Sequence, residues 1–353
     1  MNHPAPSLAE PAPRPRRDLF ARLRMIVAVE VLPLLGALGA VWLAVTHGLW
    51  TFDLIVLAGF YLFTMLGVEM GMHRLVAHRQ FQTVAPIRAF LAIGGAMAGQ
   101  GSALLWSAIH REHHQTADTP RDPHSPVYGL DGTGSGLRRF VWAQFAWYGE
   151  LEGIVTFLPE LRKRLAGEPT EEGSPGATYV KRVHDWTRDP VMVAIDKLYP
   201  VWTLLGLVLP AAIGFALYGA WGALHGLLWG GFMRHFLVKQ VTFAINSIGH
   251  TVGTKRYRAS DESRNNPVMA LLTLGSGWHN NHHAFPESAF LSLRWWHFDP
   301  TGWLLWSLER LGLAWDVQRV DPARVRAARL RPSASPSAPP GLKLDGSQQL
   351  RPA

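Results

Sequence analysis

The chain has 353 residues, no cysteine, and a formal net charge of +8. Without a thiol, disulfides, thiolate metal sites, iron–sulfur ligation and cysteine nucleophiles are excluded. The basic balance comes with 48% hydrophobic residues and 15 tryptophans, which fits an anionic lipid surface and argues against a nucleic-acid partner.

Residues 1–25, with proline at 4, 6, 11, 13 and 15, read as a disordered basic N-terminus without a cleavable signal peptide. Arg14, Arg16, Arg17, Arg22 and Arg24 precede the first apolar run and predict a cytoplasmic N-terminus. Apolar stretches at roughly 26–46 and 52–70 each approach the ~20 residues a helix needs to cross a bilayer. Only His47-Gly-Leu-Trp-Thr51 separates them, without Lys or Arg, as expected of a short outside turn. A buried hairpin of a soluble protein is the alternative. Residues 86–108 are apolar again, but a crossing there would put His110, His113 and His114 on the opposite side from His73 and His78. Gly94, Gly95, Gly99 and Gly101 also interrupt the stretch, so the expectation is a buried or re-entrant helix pair that does not cross.

Residues 115–197 are polar except for Phe140, Trp142, Phe145, Trp147 and Tyr148, which suit an interfacial helix or equally a packed core helix. A second hairpin is expected over 198–217 and 220–233, turning at Tyr218-Gly-Ala-Trp-Gly222. Arg234, His235 and Lys239 mark re-emergence, yet the apolar periodicity continues through Val241, Phe243, Ala244 and Ile245. That predicts a helix protruding beyond the bilayer, with Asn246 and His250 on one face. Residues 26–320 read as a single membrane domain and 321–353, rich in Arg, Pro and Ser, as a disordered tail. The fold class is all-α and integral to the membrane: four transmembrane helices in two hairpins, plus a cytoplasmic helical cap holding a di-metal site.

The chemistry lies in the histidines. His279, His282 and His283 sit at i, i+3 and i+4, and His110, His113 and His114 repeat that spacing, so each trio shares a helical face. His73 and His78 are five apart, which does not share a helical face, so the helix is expected to end between them. With His250 these make nine candidate ligands on one membrane side, more than a single ion can use. A dinuclear site with a borderline ion such as iron is the expectation. His3, His47, His124, His184, His225, His235 and His297 lack a cluster and read as ordinary core or surface residues. Glu69, Glu112, Asp118 and Asp122 are expected to orient imidazoles by hydrogen bonding, with Glu69 alternatively a plain helix-end residue. Asn246 either holds a metal-bound water or caps backbone. An open redox site at a bilayer edge suits a lipid chain that slides into an apolar tunnel, with metal-activated O2 as oxidant. Trp106, Trp142, Trp147, Trp186 and Trp278 are candidate tunnel residues.

At His73-Arg-Leu-Val-Ala-His78, His110-Arg-Glu-His-His114 and Gly277-Trp-His-Asn-Asn-His-His-Ala-Phe-Pro286 the chain resembles the integral-membrane fatty acyl desaturases of the stearoyl-CoA desaturase type. Asn246-Ser-Ile-Gly-His250 and Asp118-Thr-Pro-Arg-Asp-Pro-His124 match that family's further segments, and the likeness covers roughly 25–320. The resemblance implies a di-iron enzyme that uses O2 and two electrons to insert a cis double bond, commonly at C9–C10, into a saturated acyl chain. It implies nine histidine ligands, the nine above, with Asn246 acting through water. It also implies four spans with both termini cytoplasmic. The substrate is expected to be acyl-CoA or acyl-lipid. Trp106-Ser-Ala-Ile-His110 lacks the Arg-Asp pair by which acyl-CoA enzymes hold the head group, which raises a glycerolipid-bound chain. Electrons are expected from a separate ferredoxin or cytochrome b5 type partner. High Ala, Arg, Gly and Pro usage points to a bacterial inner membrane. The competing readings are a membrane di-iron hydroxylase and a histidine-rich metal transporter.

Overall fold

The computed structural model describes residues 19–330, apart from 131 and 151. Most of the tails expected to be disordered, 1–18 and 331–353, lie outside the described residues. Two expected boundaries move. Residues 19–25, assigned to the disordered N-terminus, are helical, because α1 (Leu19–Ile26) runs straight into the first apolar stretch. Residues 321–330, assigned to the tail, are also ordered. Asp321 accepts a hydrogen bond from Ala323 N, and Pro322 opens α15 (Pro322–Ala328), a strong helix start. The segment then bonds backbone to backbone, Arg258 N to Ala328 O at 2.9 Å and Leu330 N to Arg256 O at 2.9 Å. Composition does not reveal such a docking edge.

Among the described residues, three helical stretches are long and apolar enough to cross a membrane: Leu23–His47, Thr51–Ala77 and Tyr199–His250. The first joins α1 to α2 (Leu32–His47) through a π-wound turn, and the second joins α3 (Thr51–Leu66) to the π-wound Gly67–Ala77. Their surfaces are apolar outward: Val45 is 81% exposed, Ile55 66% and Phe215 62%. A soluble hairpin would turn such residues inward, so the membrane reading is the one that fits. The third stretch comprises α10 (Tyr199–His225), a π-wound turn and α11 (Arg234–Ser247), and it reverses at Gly219. There φ is 67° and ψ is −153°, a conformation open to glycine alone. The hairpin expected at 218–222 is therefore present.

The stretch read as a helix pair is one. After the short strand β1 (Gln82–Thr83) come α4 (Ala85–Met97) and α5 (Ala103–Thr116), separated by a turn, and Ser102 caps the second of them. α4 lies so close to the π-wound segment that a Cβ on Gly67 would collide with the backbone of Gly94 and Gly95. The polar half follows as α6 (Gly136–Phe145), α7 (Glu152–Ala166), α8 (Pro175–Arg182) and α9 (Pro190–Lys197). Trp142, Trp147 and Tyr148 are buried in the main core, so for them the core reading holds and the interfacial one fails, while Phe145 stays exposed. α12 (Pro267–Leu272), α13 (His279–Ala284), α14 (Pro300–Arg310) and β2 (Ala314–Trp315) complete the fold, with β2 antiparallel to β1.

One ionic cluster pins the first apolar stretch to α11. Glu30 pairs with Lys239, which is fully buried, and accepts hydrogen bonds from Tyr148 Oη (3.1 Å) and Gln240 Nε2 (3.3 Å). Removing one partner of a buried pair strands the other charge, at a cost of about 3–5 kcal/mol. Glu30→Ala is accordingly expected to lower the unfolding midpoint sharply in detergent, and an unchanged midpoint would contradict it.

Candidate metal centre

Four backbone segments carry the nine histidines. In the first the helix ends at Ala77, between His73 and His78 as expected, but it is π-wound up to that end, and His78 N donates to His73 O at 3.1 Å. A π turn bonds residues five apart and so stacks them, where an α turn would splay them. The two rings lie 5.0 Å apart between centroids. Spacing read against 3.6 residues per turn misses this. α5 supplies His110, His113 and His114, the 3-10 turn after α11 supplies His250, and α13 supplies His279, His282 and His283.

Their ligand atoms converge in two groups. His73, His78, His110 and His282 form one, and His113, His250, His279 and His283 the other, all nitrogens within 4.8 Å of one another in each. His114 joins them, its Nε2 2.8 Å from His282 Nε2 and 3.1 Å from His110 Nε2, and its ring stacked 4.4 Å from His283. Other Nε2 pairs are as close: His73–His282 at 3.0 Å, His78–His110 at 2.9 Å and His250–His279 at 3.0 Å. Hydrogen bonding alone does not explain the pattern, because a ring nitrogen has one proton or one lone pair, and His110 and His282 each meet two neighbours. A cation does. Nitrogens on ~2.1 Å metal bonds sit about 3 Å apart along the edges of the coordination shell. An all-imidazole donor set suits a borderline transition ion.

The outer nitrogens explain the aim. His113 Nδ1 lies 3.0 Å from Asp122, His250 Nδ1 2.9 Å from Asp118, and His283 Nδ1 2.7 Å from Asp261. His73 Nδ1 lies 3.5 Å from Glu69, which also accepts a hydrogen bond from Ser276. A carboxylate that accepts the Nδ1 proton selects the tautomer whose Nε2 lone pair is free. Glu69 lies beside His73 without a hydrogen bond to it, and Ser276 Oγ, which donates to Glu69, stands 3.5 Å from His73 Nδ1. Glu112 pairs with Arg182, because two residues along α5 from His110 it points away from the histidine face. Asp261 and Ser276 escaped the sequence reading, since a loop acid with no periodicity gives no signal beyond lying near a histidine motif. Asn280 and Asn281 escaped it too. Asn280 Oδ1 accepts from Arg256 N and Tyr257 N at 2.7 Å, and Asn281 Nδ2 donates to Leu291 O at 2.8 Å, so they anchor α13. Asn246 is half-buried on α11, one turn before His250.

Of the histidines set aside, His124 packs 4.4 Å from His113, with its Nδ1 3.7 Å from Asp122. His225 is buried against Asp53 at 2.8 Å, far along the chain from the cluster. Of the five candidate tunnel tryptophans only Trp147 lines the 280 Å³ cavity beside the site. Trp186 and Trp278 instead spend their Nε1 protons on Val76 O and Phe298 O, Trp142 is core, and Trp106 stacks on His110 at 4.9 Å.

Burial, then repulsion among the rings, holds His78, His110, His114, His279, His282 and His283 well below the usual imidazole range. They are neutral near pH 7 and their lone pairs are available. The unfolded chain, titrating near about 6.5, binds protons that the metal-free fold refuses, so stability falls as pH drops through that value. Metal-free protein melted between pH 8 and pH 5 should show this decline, and a flat profile would contradict it. Asp261→Ala should cost ~10–100-fold in metal affinity while Glu112→Ala stays near wild type, read as bound iron per chain. Equal losses would mean that the carboxylates do not orient the rings.

A family model described as fatty acid desaturase matches residues 49–318. The chain belongs to that family. It is 37% identical over 306 residues, 85% of this chain and 88% of the relative, to a hex-5-enoyl-(acyl-carrier protein) acetylenase of Moorena producens (strain JHB). An sn-1 stearoyl-lipid 9-desaturase of Anabaena variabilis is 33% identical over 258 residues, covering 72% and 80% of the two chains. A probable acyl-CoA desaturase of Schizosaccharomyces pombe is 30% identical over 279 residues, 79% of this chain and 51% of the relative. The desaturase is thus a membrane oxidoreductase that introduces unsaturation into fatty acyl chains.

Proposed function

We propose that the desaturase inserts a cis double bond, at C9–C10, into a saturated acyl chain at a di-iron centre held by His73, His78, His110, His113, His114, His250, His279, His282 and His283, with Asn246 acting through water. The observation that carries this reading is the convergence of two four-histidine groups, linked by His114 and backed by carboxylates. Bound there, the iron pair supplies the oxidising power, drawn from O2 and two electrons, that removing hydrogen from an unactivated methylene requires. The chain's own residues do the rest. Asp118, Asp122 and Asp261 hold the outer ring protons and keep the inner nitrogens aimed. In this reading the apolar cavity lined by Ile109, Trp147 and Phe243, with Ile109 the neighbour of His110 along α5, receives the chain and excludes water from it.

All nine histidines share one site, so the segments carrying them belong on one face of the bilayer. With α4 and α5 returning to their own side, the apolar stretches make four crossings, the cap and both termini are cytoplasmic, and the setting is a bacterial inner membrane. Electrons come from a ferredoxin or cytochrome b5 type partner with its reductase. The named relatives act on chains joined to a carrier protein, to lipid or to CoA, so the substrate is an acyl thioester or acyl-lipid. Expression in a host lacking such an enzyme, with fatty acids profiled by gas chromatography–mass spectrometry, tests the reading. A new monounsaturated acid supports it, a hydroxy acid moves the assignment to hydroxylation, and about two irons with neither product points to an uncoupled donor.

A further inference from the structure

α14 buries Thr301, Gly302 and Leu305 and turns Trp303, Trp306 and Arg310 outward, at i, i+3 and i+7 on one face. The loop before it adds Trp296 and Trp295, the latter 91% exposed, and β2 adds Trp315. Five of the chain's 15 tryptophans are thus exposed within residues 295–315. α12 joins this face, because Thr301 Oγ1 donates to Leu274 O at 2.9 Å just past its end. It exposes Val268 and Leu271, and Leu311 is exposed where α14 stops. Tryptophan is ordinarily mostly buried, and an apolar patch of this extent marks an interaction surface.

Two contacts fix the level of the face. Tyr61 Oη, on the apolar stretch Thr51–Ala77, donates to Leu272 O at 2.7 Å, where α12 ends. Thr83 Oγ1 donates to Leu313 O at 2.7 Å, and β1 pairs with β2 just before α4 begins. α4 in turn sets its exposed Phe90 against Phe63 of α3, 4.9 Å between centroids. The face is therefore tied at both ends to helices that enter the apolar layer, at the depth where a span meets the headgroups and where tryptophan accumulates. At that depth lipid is the solvent. Two guanidinium groups complete the surface. Arg294 lies 4.7 Å from the centroid of the Trp296 ring and Arg310 5.2 Å from that of Trp306. Glu309, next to Arg310 in sequence, pairs with Arg319 instead. A guanidinium lying over an indole keeps its N–H edge for a phosphate.

We propose that the α12–α14 face of the cap docks into the headgroup layer of the leaflet beneath it and binds anionic phospholipid there. Trp295, Trp296, Trp303 and Trp306 enter the layer, and Arg294 and Arg310 pair with lipid phosphates. The cap is then held by the bilayer at a second place besides its spans. This goes beyond the reading of the histidine centre and stands whichever reaction that centre runs.

The chain has no cysteine, so Leu311→Cys and Val268→Cys each give the full-length protein one attachment point for a nitroxide. In nanodiscs of phosphatidylcholine and phosphatidylglycerol, both labels should be reached by oxygen and shielded from a water-soluble nickel chelate, as a label at Ile55→Cys on α3 is. Lipid preference is read in detergent micelles doped with one lipid or the other, from the mobility of the Leu311→Cys label. The half-maximal change should come at about a tenfold lower mole fraction of phosphatidylglycerol than of phosphatidylcholine, because each arginine near an anionic surface adds to the attraction. Adding Arg294→Gln and Arg310→Gln should bring that ratio to about 1. The ratio compares two lipids on one preparation, so a loss of folding does not mimic the effect. Labels open to the nickel chelate in nanodiscs overturn the proposal, as does a ratio near 1 before the arginines are changed or a ratio that their loss leaves unmoved. Spin–spin broadening between labels, with two chains per disc, would assign the face to a second copy and overturn it too. If the arginine variant fails to fold, the label depths and the ratio with both arginines present decide alone.

Discussion

His282→Ala is expected to abolish desaturation while the chain still inserts into the membrane. His282 is the hub of the cluster: its Nε2 lies 3.0 Å from His73 Nε2 and 2.8 Å from His114 Nε2. Removing it takes a ligand from one group and at the same time loosens the link that His114 makes to the other. Its outer nitrogen has no partner, so no carboxylate is stranded by the change. Fold stability should therefore fall only by the cost of a small cavity, and the metal-free protein is relieved of one crowded imidazole. His113→Ala should be equally inactive, but it leaves Asp122 buried without its histidine and should melt lower. The measurement pairs product yield with iron per chain: near two in wild type, clearly less in either variant. Retained turnover in His282→Ala would refute the ligand role and with it the geometry argued above.

What was legible in the sequence is what repeats at fixed spacing. The histidine trios at i, i+3 and i+4 name a helical face whatever surrounds them, and the apolar stretches announce themselves by length. The hairpin reversal was legible because Gly219 sits between two apolar arms. The helix pair α4–α5 was reached differently, by requiring that all the histidines meet. What failed was information that is not periodic at 3.6. The π winding brings His73 and His78 together in a segment that α4 packs against glycine to glycine, at Gly67 against Gly94 and Gly95, and neither feature has a period of 3.6. Asp261 comes from a loop whose path is set by backbone pairing between Thr254 and Asn265. Glu112 neighbours two histidines in sequence but not in space, because α5 turns it to Arg182.

Asp299→Ala is expected to be the most destabilising single change outside the ligands. Arg74, the residue after His73, is fully buried and meets Asp299 through two nitrogens, Nη2 to Oδ1 at 2.6 Å and Nη1 to Oδ2 at 3.3 Å. Its Nη1 also donates to Ala289 O at 2.8 Å. Asp299 in turn accepts from Gly302 N at 2.9 Å, capping α14, and from Leu291 N at 3.0 Å. The pair thus ties the π-wound segment that carries the first histidines to the chain just beyond the last ones. Alanine at 299 strands a guanidinium in the interior and removes the cap, at a cost of about 3–5 kcal/mol. Against a total stability of about 5–15 kcal/mol that is a large share. Exposed pairs such as Arg324–Glu287 should by contrast contribute ~0–1 kcal/mol. Denaturation in detergent, with iron retention as a second readout, separates the cases. Arg74→Met combined with Asp299→Leu should recover much of the loss, because it leaves no buried charge. A double variant as unstable as Asp299→Ala alone would mean that the cap, and not the ion pair, holds the two halves of the metal centre in register.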